Sequence, residues 1–282
     1  MNRFICLIIG LLAVAISGTQ GATQTATPRM ASHCIAIANS APGLTYLYHA
    51  SFRDPLPEFD VRIQYLTHAS FLIQSPGGAA AVTDYTGFIG NVDFLPDVVT
   101  MNHAHDTHWT AFPDPAIPHV LQGWGETFGA GIDHNLMVKD MRVRNVSTDI
   151  RSGGGIEEQG NSIFVFEVAG LCIGHLGHLH HEPDAAQYAA LGRMDVVMAP
   201  VDGGMTLDLP TIIKVLKRLR ASVVIPMHWF GDGTLQFFLA GMRDEFAIER
   251  AAGSTLQLSL RVLPKRPTVM VLQPRYLLDE EE

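Results

Sequence analysis

The pattern of apolar and polar positions changes along the chain, from a strand period to an alternation of helix and strand. Residues 61–75, VRIQYLTHASFLIQS, alternate and are rich in β-branched and aromatic side chains, which is typical of a strand. The PGG at 76–78 then predicts a turn into a second strand, AAAVTDYTG. Short apolar runs at 97–101, 141–148, 162–170 and 171–176 predict further strands.

From residue 182 onward helices and strands alternate. The helical period appears at 182–194, 208–220 and 233–246, and Asp208 with Pro210 marks the start of the second of these helices. Apolar runs at 195–201, 222–229, 255–260 and 268–274 predict strands. Residues 111–140, rich in proline, glycine and aromatic residues, predict a long loop over a site. Two stacked sheets flanked by helices, in one domain at 60–275, accommodate this order.

The first 22 residues differ from the rest of the chain. A single Arg3 precedes an apolar run from Phe4 to Ile16, and small residues follow it, as in a secretory signal peptide. A retained N-terminal anchor is the alternative. We therefore expect a periplasmic or secreted protein with no stable membrane association after signal removal. Residues 23–59 are then a leader segment and residues 276–282 an acidic tail.

Charge and cysteine content narrow the possible partners. The 282 residues include 19 basic and 28 acidic side chains, a formal net charge of −9, without a basic stripe that could neutralise phosphates. This argues against nucleic acid and favours a small-molecule substrate. Only Cys34 and Cys172 remain after signal removal. Their positions favour two separate buried thiols over a disulfide bridge.

The segment NHAHDTHW, residues 102–109, carries three histidines directly after an apolar strand. Residues two apart in an extended chain share a face, so His103 and His105 can point at one metal ion. His108 follows one turn later and could bind the same ion or an adjacent one. A histidine-rich surface loop is the alternative interpretation.

Two more strand ends carry histidine. The segment GHLGHLHH, residues 174–181, places His175 and His178 after a strand, and VVIPMHW ends on His228. Ligand sites form where strand ends meet loops, so these positions predict one composite metal centre. His180 and His181 are expected to be solvated at the start of a helix. His68 is expected mid-strand in the core or behind a ligand, and Asp84 either holds a ligand imidazole or serves a turn.

The motifs taken together resemble the metallo-β-lactamase superfamily, in particular its lactonase-like branch of zinc-dependent hydrolases. The resemblance rests on THASFLI, VTD, VVTMNHAHDTH, GNSIFVFEVAGLCIGHLGH, VVMAPVDGG and VVIPMHW, in the family's order over roughly residues 60–230. It implies a four-layer αββα sandwich with a metal-activated water at the edge between the sheets. An antibiotic-degrading β-lactamase matches less well than the lactonase-like branch.

The ligand motif departs from that family. Thr107 stands where the family's loop has an aspartate, and His175 stands where an aspartate bridges two metals. Asp106, one position early, and Asp149, near the place of a missing mid-chain histidine, become candidate oxygen ligands or general bases. The predicted metal ligands are His103, His105, His108, His175 and His228, and the predicted catalytic residues are Asp106 and Asp149.

This set is richer in nitrogen and poorer in carboxylate than the family's. It predicts one or two zinc ions, although imidazole also suits copper, iron or nickel. The expected activity is hydrolysis of a small ester, lactone, amide or phosphoester by a metal-activated water. A non-catalytic metal- or ligand-binding protein on the same fold is the alternative, because the replaced aspartates favour it.

Overall fold

Two β-sheets stack face to face in the computed structural model, which describes residues 32–35, 51–103, 105–153 and 155–279. The predicted signal peptide and most of the leader segment lie outside these residues. All described residues belong to one compact unit that begins at Ser32. The strands are β1 Val61–Thr67, β2 Ser70–Gln74, β3 Ala80–Val82, β4 Gly90–Asn91, β5 Val98–Met101, β6 His119–Gln122, β7 Asn135–Val138, β8 Met141–Ser152, β9 Gly155–Val168, β10 Leu171–His175, β11 Val196–Pro200, β12 Val223–Met227, β13 Ala247–Arg250, β14 Thr255–Leu258, β15 Thr268–Val271 and β16 Leu277–Leu278.

The helices are α1 Ala185–Leu191, α2 Leu209–Leu219 and α3 Asp232–Met242, with a 3₁₀ turn at Leu260–Val262. Helix α2 begins where the sequence predicts, since the Asp208 side chain accepts a hydrogen bond from the Thr211 amide at 3.0 Å. Its buried residues recur at helical spacing, so one face packs on a sheet and the other faces solvent. These residues are Leu209, Ile212, Val215 and Leu216.

The six-stranded sheet has the order β14-β1-β2-β3-β5-β6, and the eight-stranded sheet has the order β13-β15-β12-β11-β10-β9-β8-β7. Strands β10, β11, β12 and β15 run parallel, as do β3, β5 and β6. The carboxyl ends of parallel strands share one edge of a sheet, which is where ligand sites form in such folds. A short pair, β16 with β4, stands apart.

Three apolar cores hold these layers together. The first lies between the two sheets, with Phe71 facing Phe164 and Phe166. The second joins the eight-stranded sheet to the three α-helices, with Leu216 and Phe238 at its centre. The third covers the outer face of the six-stranded sheet. The predicted sandwich is confirmed, and among the described residues the outer face of the six-stranded sheet is covered by loop segments instead of helices.

Two local expectations are wrong. The apolar alternation at 61–75 is a hairpin of β1 and β2 instead of one strand, and His68 lies in its turn with φ at 41°. Tyr65 pairs with Phe71 and Thr67 with Ser70, with a register shift between these two pairs, so the chain turns between β1 and β2 at residues 68–69. Cys34 and Cys172 form a disulfide, with their Cα atoms 5.7 Å apart. Sequence spacing could not show this proximity, because 138 residues separate the two cysteines.

Part of the predicted leader segment packs on the domain. Phe52 is buried in the third core, and its carbonyl accepts a hydrogen bond from Gln74 at 2.8 Å. Arg53 donates to Asp279 near the end of the chain at 2.8 Å. No helix in the described part of the chain has the length and apolar character that a membrane crossing requires.

Candidate metal centre

Four histidine rings meet at the edge where both sheets present the carboxyl ends of parallel strands. One ring nitrogen from each ring lies within 4.8 Å of the others. The first two rings follow β5, the third follows β10 and the fourth follows β12. We refer to these residues as the histidine cluster: His105, His108, His178 and His228.

A buried carboxylate orients His108. Its Nδ1–H donates to Asp84 Oδ2 at 2.5 Å, and the Asn102 amide donates to the other oxygen of that carboxylate at 2.8 Å. Asp84 follows β3 with φ at 40°, a backbone conformation that is sparsely populated outside glycine. Because Nδ1 carries the proton, Nε2 of His108 offers a free lone pair to the cluster.

A second carboxylate lies behind His228, at ion-pair distance and without the aligned hydrogen bond that joins Asp84 to His108. His228 Nδ1 lies 3.0 Å from Asp202 Oδ2. The backbone N–H groups of Gly204, Met205 and Thr206 all donate to the other oxygen of Asp202. This loop fixes the carboxylate on the Nδ1 side of the ring, which favours a proton on Nδ1 and a lone pair on Nε2 of His228. Its own φ of 56° adds a second strained backbone position, and such strain accumulates at functional sites.

The remaining two rings have different partners. His105 Nδ1 lies 2.7 Å from Thr107 Oγ1, so the threonine that replaces the family's aspartate contacts a cluster ring from behind. His178 Nε2 lies 3.1 Å from His105 Nε2, and His178 Nδ1 lies 2.7 Å from His180 Nε2. His180 is buried, and its Nδ1 accepts a hydrogen bond from the Arg151 amide. The expectation of a solvated His180 is wrong, because α1 begins only at Ala185.

The cluster fits a metal ion. The Nε2 atoms of His108 and His228 stand 3.2 Å apart, and both are lone-pair atoms because both Nδ1 atoms face carboxylates. Two bare lone pairs at this separation repel each other unless a cation lies between them. Zn–N bonds of about 2.0–2.1 Å in a tetrahedral site put neighbouring nitrogens about 3.3 Å apart. The donor set is all imidazole, which suits zinc and other late transition metals.

Burial disfavours the charged forms of His105, His108 and His180. Burial first, and then the neighbouring His228, lowers the pKa of both His108 and His105. For His180, burial and the Arg151 charge lower the pKa to about 4. Burial raises the pKa of Asp84 to about 6. Burial alone would raise the pKa of Asp202, but hydrogen bonds from His228 and Thr206 outweigh it and lower the pKa.

His68 borders the cluster from the β1–β2 turn. Its ring centroid lies 4.0 Å from that of His228, and its Nε2 is buried without a hydrogen-bond partner. Burial, followed by the charge of His228, lowers the pKa of His68 to about 3. The backbone of the two residues is joined as well, since His228 N donates to the His68 carbonyl at 2.9 Å.

Two predicted ligands lie away from the cluster. The His103 side chain is 41% exposed, its Nδ1 lies 3.3 Å from Glu157 Oε1 and its ring stacks on Trp124. The loop leaves the strand geometry after Met101, so the rule that residues two apart share a face does not extend to His103 and His105. His175, the last residue of β10, donates from Nε2 to the Ala69 carbonyl at 2.7 Å, a contact between the sheets.

The two predicted catalytic carboxylates also differ from expectation. Asp106 is exposed on the loop after β5. Asp149 accepts a hydrogen bond from the Gln159 amide at 2.9 Å, at the irregular pairing of β8 with β9. Neither residue belongs to the cluster, in which all four donors are imidazoles. The carboxylates near the site, Asp84 and Asp202, stand behind the rings instead.

Sequence reasoning gave too little weight to His178, Asp202 and Thr107. A usable signal existed for Asp202, because it follows the end of β11 between two strands that also end near the site. His178 follows β10 by three residues, and only the loop conformation decides that it turns toward the cluster while His175 does not. Gly177, with φ at 58°, provides that turn.

The sequence profile described as the beta-lactamase superfamily domain matches residues 62–228. This range contains all four cluster histidines and both carboxylates behind them. It also runs from the first strand of the six-stranded sheet to the end of β12. The profile thus covers most strands of the two sheets and the edge at which the cluster lies.

Individual relatives match more than half of the chain. The chain is 23% identical to a UPF0173 metal-dependent hydrolase of Methanosphaerula palustris, over 75% of this chain and 100% of that protein. It is 24% identical to a UPF0173 metal-dependent hydrolase of Nanoarchaeum equitans, over 60% of this chain and 84% of that protein. A solved structure from Thermotoga maritima, described as a Zn-dependent hydrolase of the metallo-beta-lactamase superfamily, is 26% identical with a TM-score of 0.55, and the match covers 76% of this chain and 100% of that one.

Proposed function

The chain belongs to the beta-lactamase superfamily, and from this premise we propose that it is a metal-dependent hydrolase whose ion is held by the histidine cluster. The relatives named as metal-dependent hydrolases support this proposal. The observation that carries it is the pair of bare Nε2 atoms of His108 and His228, 3.2 Å apart and each backed by a carboxylate. A cation between two bare nitrogens at this distance would relieve the repulsion of their lone pairs.

The chain's own residues would bind and orient this ion. Asp84 and Asp202 hold two imidazoles in the tautomer that ligates, and their negative charge raises the basicity of the rings. The cluster contains no carboxylate that could bind the ion, because Asp84 and Asp202 contact the far side of the rings. We therefore propose one ion, zinc, instead of the two ions that carboxylate-bridged relatives of this fold would hold.

When bound, such an ion lowers the pKa of a water ligand and polarises the oxygen of a carbonyl or phosphoryl group. The cluster is accessible to solvent on the side where His105 and Phe230 lie. His105 is only half-buried, and Phe230, whose ring lies 5.3 Å from that of His228, is 63% exposed. The substrate proposed is a small ester, lactone, amide or phosphoester that reaches the cluster from this open edge.

We also propose that the protein is exported to an oxidising compartment. The Cys34–Cys172 disulfide supports this, because disulfides persist in such compartments and are rare in the cytosol of mesophiles. The signal-like residues 1–22 support it independently.

Metal analysis joined to activity measurements tests the proposed function. The purified full chain, dialysed against zinc, should hold about one zinc ion per chain by elemental analysis. It should hydrolyse at least one of p-nitrophenyl acetate, a γ-lactone and bis(p-nitrophenyl) phosphate. Chelation should remove both the ion and the hydrolysis, and zinc should restore both. Replacement of His108 by alanine should abolish both properties, because its ring is wholly buried in the cluster.

His103→Ala is the matched control. It removes a histidine from the same loop whose ring lies away from the cluster, so the zinc content should remain that of the wild type. Zinc content equal to that of the wild type in both variants would show that the ion lies elsewhere. Wild-type protein that binds zinc but hydrolyses none of the probes would replace the hydrolase with a metal-binding protein on the same fold.

A further inference from the structure

The hydrogen bonds around His180 determine which of its ring nitrogens carries the proton. The backbone N–H of Arg151 points at His180 Nδ1, with the two nitrogens 2.5 Å apart. A backbone amide can only donate, so Nδ1 of His180 must be a bare acceptor. In a neutral imidazole the proton is then on Nε2. Arg151 is itself anchored, because its guanidinium donates to the Thr206 carbonyl at 2.6 Å.

The position of the proton on His180 determines the tautomer of His178. His180 Nε2 lies 2.7 Å from His178 Nδ1, and the proton on Nε2 makes His180 the donor of that bond. His178 Nδ1 is therefore bare as well, and the neutral ring carries its proton on Nε2. That Nε2–H lies 3.1 Å from Nε2 of His105, which accepts from it. These linked hydrogen bonds, which begin at the Arg151 amide, thus place the proton of His178 on the ring nitrogen that faces the cluster.

His178 differs in this respect from the other members of the cluster. A ligating histidine almost always donates its second ring N–H to a carboxylate, carbonyl or water, which frees the other nitrogen for the metal. His108 and His228 have a carboxylate in that place, and His105 has the Thr107 hydroxyl, which can accept. His178 alone has a donor behind it, so its inner nitrogen offers a proton instead of a lone pair.

We propose that His178 is a hydrogen-bond donor inside the metal centre and not one of its ligands. The residues that would hold the ion are then His105, His108 and His228. This inference rests on the proposed metal site and assigns a distinct task to its fourth imidazole. His178 Nε2–H faces the cluster. When the lone pair of His105 Nε2 binds the ion, it no longer accepts this proton, which is then available to an oxygen of the substrate or of the attacking water.

Such a donor is useful because it is already oriented before substrate binds. The His178 side chain is buried, and its backbone N–H donates to Asn161 Oδ1 at 2.8 Å. Donors fixed in a site of low dielectric stabilise the negative charge that develops on oxygen during hydrolysis, and loss of one costs about 100-fold to 1,000-fold in kcat. His178 therefore orients the reacting oxygen and stabilises its charge by a hydrogen bond, and its own charge does not change.

The first experiment measures zinc affinity by competition with a chromophoric chelator in the wild type, His178→Ala, His178→Gln and His105→Ala. The two His178 variants should retain affinity within about threefold of the wild type, whereas His105→Ala should lose more than the roughly 10-fold to 100-fold typical of a residue behind a ligand. The cobalt absorption spectrum of His178→Ala should match that of the wild type. Equal loss of affinity in His178→Ala and His105→Ala, or a cobalt spectrum with a changed ligand field, would make His178 a ligand and overturn the inference.

Nitrogen NMR on the metal-free protein tests the tautomer without any metal or substrate. Nδ1 of both His178 and His180 should show the shift of an unprotonated nitrogen, and both Nε2 atoms should show a bound proton. In His180→Ala the His178 ring is free to place its proton on Nδ1, and the cobalt spectrum should then change because Nε2 becomes a ligand. A proton on His178 Nδ1 in the wild type would contradict the inference.

Activity separates a donor from a structural residue. If a probe is hydrolysed, His178→Ala should lower kcat about 100-fold, and His178→Gln should recover part of the loss because its amide N–H can donate. Failure of the wild type to bind metal would refute the proposed function. The NMR result would still decide whether His178 presents a proton or a lone pair to the cluster.

Discussion

His108 and His228 each use both ring nitrogens, one toward a carboxylate and one toward the cluster. The carboxylates of Asp84 and Asp202 are almost wholly buried against these rings. Solvent therefore screens the attraction between each carboxylate and its ring only weakly. The surrounding backbone secures them, with three N–H groups on Asp202 alone. At the scale of the residue, the site is therefore defined as much by what stands behind each ring as by the ring itself.

Replacing Asp202 by asparagine tests this arrangement. The substitution keeps the size of the side chain and removes the charge that faces His228 Nδ1. Zinc affinity should fall about 10-fold to 100-fold, as measured by chelator competition, because a ligand ring that loses its carboxylate partner is less basic and less fixed.

Asp106→Asn is the matched control. It removes the same charge from an exposed position on the loop after β5 and should leave zinc affinity unchanged. A loss of affinity as large as that of Asp202→Asn would restore Asp106 to the site, as the sequence alone suggested.

At the scale of secondary structure, the short helix α1 is held to the eight-stranded sheet by polar contacts. Arg144 of β8 donates to the carbonyls of Ala190 and Leu191 at 2.9 Å each, which satisfies the free carbonyls at the end of the helix. The same guanidinium donates to Glu167 of β9 at 2.7 Å. Ser32 also donates to this carboxylate. Glu167 therefore links two strands, one helix and the segment that carries Cys34.

Replacement of Glu167 by glutamine should destabilise the fold by about 3 kcal/mol, because it leaves the buried Arg144 without its counter-ion. Burial alone would raise the pKa of Glu167, but hydrogen bonds from Arg144 and Ser32 outweigh it and lower the pKa. A lowered folded-state pKa gives stability that is present above the unfolded pKa of about 4.3 and lost as pH falls. The Tm difference between wild type and variant should therefore be largest near neutral pH and shrink below about pH 4.

Glu158→Gln is the matched control for Glu167→Gln. It makes the same change at an exposed position of β9 and should leave the Tm unchanged at every pH. A Tm difference for Glu167→Gln that persists unchanged into acid would mean that packing, and not the ionised carboxylate, is responsible.

At the scale of the whole molecule, one covalent bond joins the N-terminal described segment to the centre of the larger sheet. Cys172 lies in β10, three residues before the strand ends at His175, and Cys34 lies 138 residues earlier. A bridge that closes a loop of this length restricts the unfolded chain strongly.

Reduction of this bridge should lower the free energy of unfolding by about 2–5 kcal/mol, measured by denaturant unfolding with and without a thiol reductant. The Cys34→Ala/Cys172→Ala double variant should resemble the reduced wild type and should not respond to the reductant. A wild type that is equally stable in both conditions, with Cys34 and Cys172 both free by thiol titration, would show that the bridge does not form.

The sequence by itself determined the sandwich, most of its strands and helices, and the edge at which the chemistry lies. Apolar periodicity carries this information because burial of one face of a strand or helix is a local requirement. The histidines at three strand ends pointed to one metal centre for the same reason: strand ends of parallel sheets meet at a common edge.

Only the tertiary structure decided which imidazoles meet. His103 and His175 satisfy the spacing rules as well as His105 and His178 do. The loop after β5 nevertheless turns His103 toward Glu157, and His175, still within β10, donates to the Ala69 carbonyl. The Cys34–Cys172 bridge and the carboxylates behind the rings were likewise set by long-range packing. A side chain's direction in a loop depends on contacts from distant segments, and these contacts leave no periodic trace in the sequence.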